Sequence, residues 1–341
     1  MGFSNILKAE LYKLAKGKSL IKILIAVAIV FTISSIVFAL LYNVLGDALN
    51  MVSSSESVTQ EDIDALEAQI AQYEQVQDEM KANIRFHDTT LYELKATLVL
   101  YKYMLNNNLS FSNINVFGQS FALSTNSYMS FMMQIMSLMI IVYASISMIK
   151  SALGEKINGT LKMQLLRPIQ KEQMIIAKAL AVCIVSFGIF IFTTVLSGIV
   201  GIAAFKVDAR DVLVVLNSTY IGVISPMGDL LIKFIYYTGR LIAYIVFSMF
   251  LSTMVKKSEG LAIAISMIMI FIGNTIEDIF GYLFVGYVGF NINLNWTSAL
   301  TTSGPSLSNM NLYTMLAISF VWVCGMFVSS IFAFKHQEVH N

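Results

Sequence analysis

Runs of about 20 or more consecutive apolar residues recur along this chain, and they constrain its fold more than any other feature. A hydrocarbon core about 30 Å thick takes about 20 apolar residues of helix to cross. Only helices or closed barrels satisfy the backbone there. The runs are continuous rather than alternating, so helices are expected. Six spans follow, at residues 20–45, 128–149, 174–205, 235–255, 260–280 and 312–334. Pro168, Pro226 and Pro305 all fall between them, as uninterrupted helices require. Only 13% of the 341 residues are charged and 57% are hydrophobic, against about a quarter charged in soluble domains. The fold class expected is an all-α membrane protein with six transmembrane helices per chain. Cys183 and Cys324 both lie in apolar runs, which leaves no disulfide framework to read. The first run is too long for the apolar part of a cleavable signal and lacks a small-residue cleavage site.

Lysine and arginine set the orientation. With the N-terminus inside, the inner segments hold 14 of the 22 basic residues, among them Lys8, Lys13, Lys150, Lys178, Lys256 and Lys335. Few acids accompany them: Glu10, Glu155, Glu172, Glu259 and Glu338. Both termini are expected in the cytoplasm, with residues 335–341 as a short tail.

Residues 1–19 read as a cytoplasmic interfacial helix. Phe3, Ile6, Leu7, Leu11 and Leu14 share one helical face, while Lys8, Lys13 and Lys16 lie away from its middle. Gly17-Lys18-Ser19 is like the end of a phosphate-binding loop, but Tyr12 stands where its first glycine belongs and no strand precedes it. Residues 46–127 form a long extracellular insert. From Ile63 to Leu105 its apolar residues recur at steps of three and four, broken at Gln77 and His87. Two helices folded back near residues 86–90 in a coiled-coil-like hairpin are expected. A spacer or a packing scaffold is as good a reading of it as a cargo-binding element.

Between the second and third spans lies the stretch GEKINGTLKMQLLRPIQKEQ, with six charges in twenty residues, whereas residues 128–149 carry none. Glu155 to Leu166 can form a short helix with Leu161, Leu165 and Leu166 on one side, ended by Pro168. In the cytoplasm, at the feet of two spans, such a helix suits docking onto a soluble partner; a plain connecting loop is the simpler alternative.

Ionisable residues near membrane depth carry a functional expectation. Arg240 lies toward the outer end of the fourth span and Glu277 with Asp278 toward the outer end of the fifth. A tight turn joins these spans, so Arg240 is expected to pair with Glu277 or Asp278 as an outer gate or clasp. The alternative is that all three reach interfacial water. Lys233 is expected to snorkel to the surface. Met129, Met132, Met133, Met136 and Met139 recur along the second span; packing against neighbouring helices accounts for them better than a flexible cargo surface. The histidines His87, His336 and His340 show no metal-ligand spacing inside a span, and no Ser or Cys sits with a His at membrane depth. No catalytic residue, metal or cofactor is expected on this chain.

The loop itself carries a resemblance. Glu155, then Asn158-Gly159-Thr160-Leu161-Lys162, then Leu165-Leu166, Pro168-Ile169, Lys171 and Lys178 closely resemble a pattern of ABC-2-type transporter permeases. The wider layout agrees, and some members of that family carry a large outer insert between the first two spans. The resemblance implies a division of labour. The 150–173 segment would be the coupling helix, docked in a groove of a separate ATPase subunit that carries ATP and Mg. Glu155, Gly159, Thr160, Leu161, Lys162, Leu165, Arg167 and Pro168 would form that docking element, with Gly159 permitting close backbone approach. Two permease chains, as a homo- or heterodimer, and two ATPases would make an exporter in a bacterial cell membrane. Its partners would be the ATPase, a second permease chain and lipid, with no nucleic acid. The cargo expected is an amphipathic or hydrophobic peptide, antibiotic or lipid-like molecule. The alternative from another class is a non-transporting scaffold or sensor whose outer hairpin binds a ligand and signals through the loop. An ion-coupled transporter would call for broken spans with carboxylates at the midplane, and the chain offers no clear examples.

Overall fold

The computed structural model describes residues 2–55, 58–80, 89–111, 114–118, 124–159, 170–216, 219–255, 258–283, 296–302 and 312–336. Its helices are α1 (Phe3–Lys16), α2 (Lys18–Ser55), α3 (Gln60–Met80), α4 (Thr89–Asn106) and α5 (Thr125–Ile149). They continue with α6 (Lys171–Ala204), α7 (Pro226–Met254), α8 (Glu259–Leu283) and α9 (Leu312–His336). A π-turn, Lys150–Gly154, and a last helical piece, Glu155–Ile157, extend α5. Among the described residues, five segments are long and apolar enough to cross a membrane: Leu20–Val44, Thr125–Ile157, Lys171–Ala204, Pro226–Met254 and Leu312–His336. Helix α8 adds a further apolar stretch, Glu259–Gly273, among the described residues. The chain is a mostly helical, multi-pass membrane protein.

The extended α5 is the hub of the bundle, with 67% of its most apolar window buried against 28% for α2 and 17% for α9. Its inward face is filled by Tyr128, Met132, Met133, Met136 and Ile140, all buried, so its methionines pack against neighbouring helices. Across from them α2 turns Ile21, Ile25, Ile29 and Ile33 outward, one per turn; such a stripe suits hydrocarbon surroundings. Tyr128 pins α2 to α5 by a 2.7 Å hydrogen bond with Ser35 and by edge contact with Phe38.

The all-α expectation needs correcting, because a three-stranded sheet sits at one end of the bundle. β1 (Asn115–Val116) runs parallel to β2 (Val212–Leu216), which runs antiparallel to β3 (Tyr220–Ile224). Val212-Leu213-Val214-Val215-Leu216 is rich in β-branched residues, which favour a pleated, half-buried surface. Its side chains alternate between two faces. Leu213 and Val215 join Ala96, Leu100 and Met104 of α4 in one core. Val212 and Val214 join Phe117 and Leu300 in another, which also packs Ile232 of α7 and Leu312 of α9. The sheet therefore mortars the α3–α4 pair onto the membrane helices.

Helices α3 and α4 lie antiparallel. Glu74 meets Lys95 at 2.9 Å and Glu67 meets Lys102 at 2.6 Å, so seven residues back on one helix match seven forward on the other. Thr59 and Asp62 open α3 by reciprocal hydrogen bonds, Thr59 N to Asp62 Oδ2 at 2.8 Å and Asp62 N to Thr59 Oγ1 at 3.4 Å, a capping box. His87 lies outside the described residues. The fourth apolar segment begins at Pro226, nine residues before the expected boundary. Ser225 caps it by accepting from Gly228 N at 3.2 Å, and proline at the first helical position is preorganised for the turn.

Candidate functional site

At the end of α5 remote from the sheet, four charged side chains from three elements close into one cluster. Lys178 projects from the second turn of α6 with no exposed side-chain surface. Its Nζ lies 2.5 Å from Glu155 Oε2 and 3.3 Å from Glu10 Oε1. Glu155 Oε1 accepts from Lys13, which also lies 3.5 Å from Glu10. Two ammonium groups thus alternate with two carboxylates. A buried ammonium survives only with such partners, since desolvation otherwise costs several kcal/mol per ion. Burial pulls the Lys13 ammonium down, but its hydrogen bond to Glu155 and the carboxylate of Glu10 outweigh it and hold its pKa above the ordinary value.

The consequence is mechanical. Helix α1 is fastened by Ile6 and Glu10, both buried, so its inward face carries a charge among apolar residues. Amphipathic reading alone left Glu10 as one of several inner acids. The missed signal is the Ile6–Glu10 spacing of one turn, which puts a carboxylate on the apolar side of a lysine-rich helix. The same corner takes in the start of α8, where the Glu259 carboxylate comes so near Gly154 that a Cβ there would sit 3.0 Å from Oε2. It also takes in the end of α9, where Lys335 meets Glu172 of α6 at 2.8 Å.

A continuous helix from Glu155 to Leu166 does not form. The helix ends at Ile157, and Gly159 adopts φ +70°, the left-handed region, in which glycine closes a helix at no steric cost. Asn158 N and Gly159 N return to the carbonyls of Gly154 and Lys156. Gly159 therefore stops the helix; a Cβ there would meet nothing within 4 Å. Thr160, Leu161, Lys162, Leu165, Arg167 and Pro168 lie outside the described residues. Of the residues the sequence singled out in this loop, the structure places Glu155 in the ion cluster and Gly159 four residues beyond.

Arg240 sits midway along α7, with its Nε buried and without a hydrogen-bond partner among the described residues. Its guanidinium lies 5.9 Å from the Tyr244 ring. Glu277 and Asp278 belong to α8, but their side chains are outside the description. At the sheet end, Asp208 accepts from Asn115 Nδ2 at 2.8 Å and from Arg210 at 2.7 Å, and its backbone carbonyl takes Asn126 Nδ2 at 2.9 Å. Burial would raise the Asp208 pKa, yet the hydrogen bonds of Arg210 and Asn115 hold it below the usual carboxylate value. Lys233 does not snorkel: it turns onto Asp229 at 2.8 Å and Ser130 at 3.0 Å, over the Phe117 ring.

No group of three or more His, Cys, Asp or Glu side chains able to hold a metal ion occurs among the described residues. The ion cluster offers no nucleophile, and its charges are spent on one another; it can hold elements together and transmit force. Fold and site together define a helical multi-pass membrane protein with a sheet-bearing domain at one end of the bundle and a locked ion cluster at the other. A family model described as "Protein of unknown function (DUF2705)" matches residues 94–339, well over half of the chain, which belongs to that family. The matched region takes in Glu155 and Lys178 but begins after α1, which supplies Glu10 and Lys13. No curated protein matches the chain.

Proposed function

We propose that this chain is the permease subunit of an ATP-driven exporter, working as a dimer with separate ATPase subunits. The observation that carries the reading is the Glu10–Lys13–Glu155–Lys178 cluster. The segment resembling a permease coupling element begins at Glu155, and that residue is bonded to α1 and α6 at once. A push on the 154–173 loop would therefore move α1, α5 and α6 as one body, the rigid-body transmission that alternating access needs. On this reading α8 makes the sixth span, both termini and the loop are cytoplasmic, and residues 46–127 with the sheet are extracellular. Glu155 and Gly159, with Thr160 to Pro168 beyond them, dock the ATPase, and ATP and Mg belong to that partner. Arg240 with Glu277 or Asp278 serves as a clasp toward the outer side. The cargo is amphipathic or hydrophobic.

The test is co-purification of the chain with a candidate ATPase subunit carrying a phosphate-binding loop, followed by cargo-stimulated ATP hydrolysis. Glu155→Ala and Gly159→Pro should uncouple hydrolysis from transport. Unchanged ATPase association and transport in both variants would sink the coupling assignment.

A further inference from the structure

Beneath the sheet, between β1 and the sheet-side turns of α5 and α7, lies a polar pocket lined by Asn115, Asn126, Ser127, Ser130, Asp229 and Lys233 among others. Its cavity volume is about 30 Å³, room for about two water-sized groups. Asp229 is 5% exposed, and its Oδ2 is held by Lys233 at 2.8 Å. Its other oxygen, Oδ1, is buried with no hydrogen-bond partner among the described residues. An unmatched carboxylate oxygen in such a place is costly, so a lining that keeps one presents it to something.

We propose that this pocket is a binding site for the primary ammonium group of a small amine, with Asp229 Oδ1 as its charged acceptor. The chain shows the same chemistry at its other end, where the two oxygens of Glu155 take one ammonium each, from Lys13 and Lys178. Asp229 has the first half of that arrangement in Lys233. The incoming ammonium supplies the second half, and Ser130 Oγ, already accepting from Lys233, has a lone pair left for it.

An anion is disfavoured. Three first-turn amides of α5 are occupied, Thr125 N on Lys206 O, Ser127 N on Ser124 Oγ and Tyr128 N on Ser124 O, and Oδ1 repels negative charge. A divalent metal is disfavoured too, because Asp229 is the only carboxylate among the described lining residues and hard cations gather several oxygens, usually more than one of them charged. A quaternary ammonium has no proton to donate and exceeds the space.

The test is thermal unfolding of the purified full chain in detergent at constant ionic strength, exchanging tetramethylammonium chloride for methylammonium chloride, with sodium chloride as a third arm. Methylammonium should raise the unfolding temperature along a saturable binding curve, whereas tetramethylammonium and sodium should not. Asp229→Asn should abolish the response. Ser130→Ala, which keeps both charges and the fold, should move the midpoint to about fivefold higher concentration, the worth of one hydrogen bond. Superimposable methylammonium and tetramethylammonium curves on the parent chain would overturn the site, as would an unshifted midpoint in Ser130→Ala. A saturable response to sodium in place of methylammonium would overturn the ammonium assignment. Joined to the permease reading, the site gives the cargo a primary amine. The assay contains no ATPase, so a chain that binds methylammonium yet couples to none would overturn the transport reading alone.

Discussion

Lys178 and Glu155 meet 2.5 Å apart at the corner where α1, α5 and α6 converge, the lysine side chain wholly buried and the glutamate 14% exposed. Breaking a buried pair by removing one partner costs about 3–5 kcal/mol, because the other charge is left uncompensated. Lys178→Met should destabilise the purified chain by that order, measured by denaturant unfolding in detergent. The Lys178→Met/Glu155→Gln double variant should recover part of the loss, because the stranded carboxylate is gone. Additive losses in the double-mutant cycle would show that the two charges act independently.

Gly159 makes a more local prediction. At φ +70° an L side chain costs about 1–2 kcal/mol, and asparagine suffers least. Gly159→Ala should let helix propagate past Ile157 or strain the turn, visible as altered hydrogen exchange at the amides of Asn158 and Gly159. Gly159→Asn should retain most of the parent behaviour. Equal exchange in all three chains would count against a left-handed stop.

Asp208 ties the two halves of the sheet-end domain, and its depressed pKa gives that tie a pH dependence. A carboxyl with a lowered folded pKa adds stability that is complete above its unfolded value, near 3.9, and is lost as pH falls through the folded value. Protection of the Asn115 amide, which donates to Asp211 O at 2.9 Å, should hold at pH 5 and decline below about pH 4. In Asp208→Asn, that decline should be absent. Opening of the whole bundle in the same range would be distinguished by simultaneous loss of protection in α5.

What the sequence could and could not announce follows from the range of the interactions. Continuous apolar runs of about 20 residues demand helix in a membrane, so the long apolar helices were legible from local composition. The three-and-four repeat was legible for the same reason: Ile63, Leu66, Ile70, Tyr73 and Met80 fall in α3 and Leu91, Leu94, Leu98, Tyr101 and Leu105 in α4, while Ile84 lies outside the described residues. The sheet was not. Val212–Leu216 is a five-residue apolar run beside a span, and β1, the strand it pairs with in parallel, lies nearly a hundred residues earlier. Glu10 was equally silent, because its partner Lys178 stands 168 positions away. Beside the one-turn Ile6–Glu10 spacing, the Ser225-Pro226 pair held an unused local signal, a cap followed by a first-turn proline, which moves the start of α7 nine residues earlier.

The α3–α4 pair separates surface from core. The Glu67–Lys102 and Glu74–Lys95 partners are each about half exposed, and exposed ion pairs contribute about 0–1 kcal/mol. Lys102→Ala should therefore change stability by less than about 1 kcal/mol, and high salt should hide even that. Leu100, 2% exposed in the core against the sheet, should cost about 2–5 kcal/mol as Leu100→Ala. Comparable losses from the two variants would mean that the surface charge matters as much as the apolar seam.

Arg240 gives the last prediction. Tyr244 donates to the Met269 carbonyl at 2.8 Å, and each of these residues lies ten positions from its end of the connection between α7 and α8. That bond fixes the register of the antiparallel pair. An ideal antiparallel pairing through that bond would bring Arg240 level with residue 273, and Glu277 follows one turn later in the sequence, about 6 Å along a helix axis. An arginine at mid-span costs about 2.5–3.5 kcal/mol on insertion scales, which pairing would relieve. If Glu277 is the partner, Arg240→Glu should lower both the yield of folded protein and its unfolding temperature, and adding Glu277→Arg should restore most of each. The same exchange with Asp278→Arg tests the neighbouring carboxylate. Failure of both reversals to restore the Arg240→Glu chain would remove the clasp and leave the guanidinium with the Tyr244 ring beside it.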